Sequence, residues 1–229
     1  MKPVPYYQDE YVTLYCGDCA EILPHLSVFF DALITDPPFG INFEYAKGKE
    51  QHKSADEYYK WLVPIIELCQ KQLNDGAFNA IWQAQLYFQH FWNVFGSDIR
   101  IYCAAKNFVQ LRKTPINYGY DPVVMFYKQG ERKSPIKPQR NVDFFVSNTA
   151  SIVSDTSRIE RNHPCPRPLD VVTEIMNNFS LGTVLDPFAG SGTTLLAAKN
   201  LNRKAIGIEQ EEEYCKVIVE RLRQGVLGL

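Results

Sequence analysis

"TVLDPFAGSGTTLLAAKNLNRKAIGIEQ", residues 183–210, reads as strand, glycine turn, helix, strand and acid. Gly190 and Gly192 let a backbone turn tightly and approach a ligand where a Cβ would collide. The helix beginning near Ser191 aims its free N–H groups at the same spot. Glu209 closes the second strand 19 residues after Gly190, where a carboxylate can accept hydrogen bonds from both hydroxyls of a ribose. A nucleoside-cofactor site on a Rossmann-like sheet is the expectation. The full G-x-G-x-x-G of dinucleotide folds is absent, since residue 195 is leucine, which disfavours a pyrophosphate ligand and a dinucleotide oxidoreductase. Asp186, ahead of the glycines, suits a cation. S-adenosylmethionine carries an ammonium and a sulfonium and no phosphate, so it is the expected cofactor.

Outward from this stretch, β-rich apolar runs recur at 12–15, 31–35, 77–82, 99–104 and 122–127, which with 183–186 and 204–208 predict seven strands. Helical periodicity covers 54–73, 168–180, 192–202 and 211–224. Strands alternating with helices predict a mostly parallel sheet covered on both faces, in one domain spanning residues 1–229. Such sheets bind ligands beyond the carboxyl ends of their strands. Residues 129–162 break the rhythm with two prolines, six basic residues and no clear period, and are expected to form a long functional excursion.

The predicted strand at 31–35 ends in "TDPPFG", residues 35–40. Two prolines fix two φ angles and remove two donors, which by itself describes a stiff turn. The same rigidity also aims a carbonyl. The stretch resembles the catalytic motif of the amino-methylating DNA methyltransferases, which implies as target an exocyclic amine on a nucleobase, a poor nucleophile because its lone pair is delocalised into the ring. Acceptors on both N–H groups hold the nitrogen towards sp³ geometry. Asp36 offers one acceptor, the carbonyl of Pro37 the other, Pro38 stiffens the turn, and Phe39 offers a face on which a flipped-out base can stack. No general base is needed before transfer, so none of the four histidines is expected to be catalytic; His163 is read as structural.

The net charge of −2 conceals a split: residues 106–167 hold eleven Lys/Arg against five Asp/Glu, a balance of +6 that leaves −8 elsewhere. Within it, Lys128, Arg132, Lys133, Lys137 and Arg140 fall inside thirteen residues and are the candidate phosphate contacts. No run of eighteen apolar residues and no apolar leader occurs, so the expectation is a soluble, cytoplasmic protein with no membrane partner. The six cysteines are expected to be reduced. Cys16 and Cys19 form a lone C-x-x-C without a second ligand pair, so no metal is expected.

Together these motifs resemble the amino-methylating DNA methyltransferases, in the permuted order called β-class. "TDPPFG" looks like their catalytic motif and "LDPFAGSGTT" like their cofactor motif, with the catalytic one first. "HPCPRPLDVV", 163–172, resembles the H-P-x-x-K-P segment that lines the methionine end of the cofactor, with Arg167 for the usual lysine. "YCGDCAEIL" resembles the segment whose acid, here Asp18, faces the adenine ring. The resemblance implies a seven-stranded methyltransferase sheet entered at its third strand, with residues 129–162 as a small target-recognition excursion. It implies cofactor contacts from Asp18, Arg167, Pro168, Asp186, Pro187, Phe188, Ala189, Gly190, Ser191, Gly192, Thr193 and Glu209. DNA is the implied substrate and N6 of adenine the implied target, since Asp rather than Ser at the first catalytic position is commoner in adenine enzymes. N4 of cytosine, an RNA or protein-glutamine substrate, and a catalytically silent partner subunit remain alternatives. Partners left open are a second copy of the chain and a separate specificity or restriction protein.

Overall fold

A computed structural model describes residues 3–38, 44–45, 48–49, 54–96, 98–106, 119–132, 142–147 and 167–224. The strands are β1 (Tyr7–Gln8), β2 (Val12–Cys16), β3 (Phe30–Thr35), β4 (Glu44–Tyr45), β5 (Gly48–Lys49), β6 (Leu73–Trp82), β7 (Arg100–Ala105), β8 (Tyr120–Tyr127), β9 (Phe144–Val146), β10 (Val184–Asp186) and β11 (Ala205–Glu209). The helices are α1 (Cys19–Ile22), α2 (Ala55–Lys71), α3 (Phe88–Phe95), α4 (Leu169–Phe179), α5 (Thr193–Asn200) and α6 (Glu212–Gln224).

Nine strands form one sheet in the order β1-β2-β11-β10-β3-β6-β8-β7-β9, and β4 and β5 pair separately. From β2 to β6 the five central strands run parallel. The hairpin of β7 and β8 is antiparallel, and β8 lies antiparallel to β6. All seven expected strands are present. The sheet is mixed and wider than expected because β1 and β9 add two and three residues at its edges. β9, "FFV", lies inside the 129–162 excursion, so part of that segment joins the sheet, parallel to β7. Because β10 and β11 come last in the chain yet sit between β2 and β3, the order is the permuted one expected.

Strand residues alternate between two cores, as a period of two requires. Leu14, Ala32, Ile34, Trp82 and Val184 pack with α4, α5 and α6, whereas Tyr15, Leu33, Ile81 and Leu185 pack with α1, α2 and α3. Helices therefore cover both faces, leaving the carboxyl ends of the parallel strands as the free edge where ligands can enter. Ser54 caps α2 by accepting from Glu57 N at 3.2 Å. Of the aromatic residues at 82–92, Trp82, Tyr87 and Phe91 are buried and Trp92 is exposed. Among the described residues, no helix is long and apolar enough to cross a membrane, no acid, His and Cys cluster could hold a metal, and five cysteines are free thiols.

Candidate active site

Three carboxylates gather where β3, β10 and β11 end. Asp186 is the last residue of β10 and only 2% exposed; its Oδ1 accepts from Thr35 Oγ1 at 2.7 Å and from Phe188 N at 3.2 Å. This ties the end of β3, one residue before Asp36, to the glycine turn. Burial pushes the Asp186 carboxyl up to about 6, eased by hydrogen bonds from Thr35 and Thr194 and aggravated by the charge of Asp36. Glu209 ends β11, accepting from Gly190 N at 2.8 Å through Oε2 and from Glu211 N at 2.9 Å through Oε1. Burial drives it up to about 7.

The glycine turn is as tight as its residues require. Gly190 has φ +54° and Gly192 φ +81°. A Cβ at Gly192 would stand 2.9 Å from Ile218 of α6, so a side chain there is excluded by both backbone and neighbour. Ala189 N donates to Ile208 O at 2.9 Å, drawing the turn over the end of β11. Pro187 is buried and Phe188 leans on Trp61 at 5.7 Å between ring centroids. Ser191 and Thr193 are buried, and α5 starts at Thr193, two residues later than expected. Gly17 N donates to Glu209 O at 2.9 Å, bringing exposed Asp18 beside β11; the Asp18 carboxylate caps α1 through Ala20 N at 2.8 Å.

Asp36 carries an unforeseen partner. Arg167, which the resemblance puts along the cofactor, directs Nε to Asp36 Oδ2 at 2.7 Å and Nη2 to Asp36 Oδ1 at 2.9 Å. Its Nη1 reaches Asp121 Oδ2 at 2.9 Å, and Lys106 Nζ lies 2.7 Å from Asp121 Oδ1. The planar fork of arginine matches a carboxylate edge in a way an ammonium does not. Burial raises the pKa of Asp36, and the Arg167 guanidinium opposes the rise. Pro37 is buried beside it, and Pro168 precedes α4. Phe39 and His163 lie outside the described residues. Sequence reasoning missed Asp121 and Thr35: both sit in apolar strand patterns, and their partners are 46 and 151 residues away.

Of the candidate phosphate contacts, Lys128 and Arg132 are among the described residues. β8 runs against the central strands, so Lys128, just past its end, lies at their amino-terminal edge, where Nζ donates to Leu73 O at 2.6 Å and pairs with Asp75 at 3.7 Å. Seven residues of extended chain put it roughly 23 Å from Asp121. Arg132 stacks over Tyr127 at 5.5 Å on that same edge. Neither borders the carboxylates. Lys133, Lys137 and Arg140 fall outside the described residues.

The two buried acids at Asp186 and Glu209 are held by hydroxyl and backbone donors, a set that suits a cationic ligand bearing hydroxyl groups.

Comparison with known proteins agrees. The chain is 28% identical to the type II methyltransferase M.ScaI of Streptomyces caespitosus, across 95% of this chain and 83% of that one. Its fold superposes on the PvuII cytosine-N4-specific DNA methyltransferase with a TM-score of 0.76 at 20% identity, covering 95% of this chain and 88% of that one. On M1.HpyAVI, solved with SAM, the TM-score is 0.72 at 23% identity, covering 92% and 98%. The family model for DNA methylases that modify N6 or N4 matches residues 30–220, and with the permuted strand order and both motifs at adjoining strand ends, the chain belongs to that family.

Proposed function

We propose that the chain is an S-adenosylmethionine-dependent DNA methyltransferase that modifies N6 of adenine. The observation that carries this is the Thr35–Asp186 hydrogen bond, which fastens the strand bearing the "DPPF" motif to the strand bearing the glycine turn. Methyl acceptor and methyl donor would meet across that join. When bound, S-adenosylmethionine supplies an electrophilic methyl group on a sulfonium.

The residues of this chain bind and orient. Glu209 accepts from the ribose hydroxyls with the lone pairs left after Gly190 and Glu211 have donated. Asp186 balances the positive charge, and Asp18 faces the base. Pro187, Phe188, Ala189, Ser191 and Thr193 shape the turn around the cofactor, and Pro168 flanks it. Asp36 and the Pro37 carbonyl accept the two N–H bonds of the target amine, Pro38 stiffens that carbonyl, and Phe39 stacks on the extruded base. The methylated amine is cationic and loses its proton to solvent.

Incubation with S-adenosylmethionine and DNA, digestion to nucleosides and weighing of the products tests this. N6-methyladenine is expected from the wild type, with Asp36→Ala slower by on the order of 10²-fold or more and cofactor affinity retained. N4-methylcytosine would overturn the base while leaving the enzyme class. No methylated nucleoside would overturn the proposal.

A further inference from the structure

We propose that Asp121 is a positioning residue for methyl transfer, holding the Arg167 guanidinium so that the Asp36 carboxylate stays charged and keeps a remaining lone pair turned to the target amine. This rests on the reading of Asp36 as amine acceptor. Four charges alternate in sign, Lys106, Asp121, Arg167 and Asp36, with side-chain exposures of 31%, 22%, 14% and 27%. They come from the end of β7, the start of β8, the approach to α4 and the end of β3. Such partly buried pairs are screened far less than surface ones.

The geometry distinguishes a brace from a simple ion pair. Two guanidinium nitrogens bind Asp36 side-on, which fixes the carboxylate relative to the guanidinium. Asp121 binds the third nitrogen from a separate strand and so fixes the guanidinium relative to the sheet. Asp121 is itself held on the other side: Lys106 takes its second oxygen, and Lys106 N donates to Gly119 O at 2.8 Å across the hairpin. A carboxylate offers about four acceptor positions. Arg167 takes two of Asp36's, which leaves acceptor capacity in directions the brace defines.

Among the described residues, Arg167 and Asp121 are the charges that act on Asp36, and Asp186 lies close enough for its carboxyl to feel the charge of Asp36. Asp121 acts on it in two opposed ways. As a bare anion it raises the Asp36 pKa; as the anchor of Arg167 it keeps a cation in place and lowers it. Removing Asp121 separates the two.

The experiment is the pH profile of kcat for wild type, Asp121→Asn, Asp121→Glu and Arg167→Lys on adenine-containing DNA, with cofactor affinity by calorimetry. For Asp121→Asn the expected result is a loss of kcat on the order of 10²-fold. Its acid limb moves to higher pH, and KM for DNA and cofactor affinity stay unchanged. Asp121→Glu restores part of kcat, and Arg167→Lys lowers kcat and moves the acid limb in the same direction as Asp121→Asn, which keeps the test intact if Asp121→Asn melts below assay temperature. An acid limb that moves to lower pH, or an unchanged kcat, overturns the brace. An active wild type with either result leaves the Asp36 reading standing, whereas a wild type that methylates no nucleic acid overturns that reading and the brace with it.

Discussion

Glu209 shows how a residue's burial predicts its chemistry. Lifted to about 7 by burial, its carboxyl is partly protonated near neutrality before a ligand arrives. In the proposed complex, ribose hydroxyls would donate to the ionised form and so favour it. Affinity for S-adenosylmethionine should therefore weaken as pH falls from 8 to 6, approaching ~10-fold per pH unit below the pKa. Calorimetry across that range checks it, with Glu209→Ala expected to bind weakly at every pH and to lose the dependence. Flat wild-type affinity would put the ribose elsewhere. At Gly192 the restraint is steric: Gly192→Ala combines φ +81° with the 2.9 Å approach to Ile218 and should cost about 1–3 kcal/mol in denaturant unfolding. An unchanged midpoint would mean that α6 yields freely.

Among elements, the edge strand β1 is short enough to need an anchor, and Asp9 supplies it. Its carboxylate accepts from Tyr11 N, Val12 N and the Tyr7 hydroxyl, and from Lys199 Nζ of α5 at 2.7 Å. Burial alone would raise its pKa, but these donors outweigh it and hold the group at about 2. A depressed folded pKa stabilises the fold above the unfolded value near 3.9, and the gain is lost as pH falls through 2. The shift corresponds to about 2 kcal/mol, so Asp9→Asn should lower stability by about that at pH 7 and by little at pH 2. Urea unfolding of both proteins at the two pH values measures this; equal losses would mean that the anchor is not electrostatic.

For the whole molecule, the antiparallel course of β8 separates chain neighbours. DNA approaching the carboxyl ends of the strands meets the Asp36 edge, and Arg132 stands on the other one. Arg132→Glu should leave the salt slope of DNA binding unchanged, whereas reversing Lys133, Lys137 and Arg140 should reduce it by ~0.9 for each phosphate no longer neutralised. A reduced slope in Arg132→Glu would mean that DNA runs over the amino-terminal edge. The sequence by itself determined what is local. Seven strands, the four helices at 55–71, 169–179, 193–200 and 212–224, and the glycine turn follow from periodicity, turn chemistry and φ preference within a few residues. Motif order fixed the permuted topology. Only the tertiary structure decided what depends on distant segments: that β1 and β9 extend the sheet, that Lys128 and Arg132 face away from the carboxylates, and that Arg167 grips Asp36 from 131 positions away with Asp121 behind it. The physical reason is that charge pairing acts through space after folding and leaves no period in the chain, while helices, strands and turns are written in the spacing of neighbouring residues.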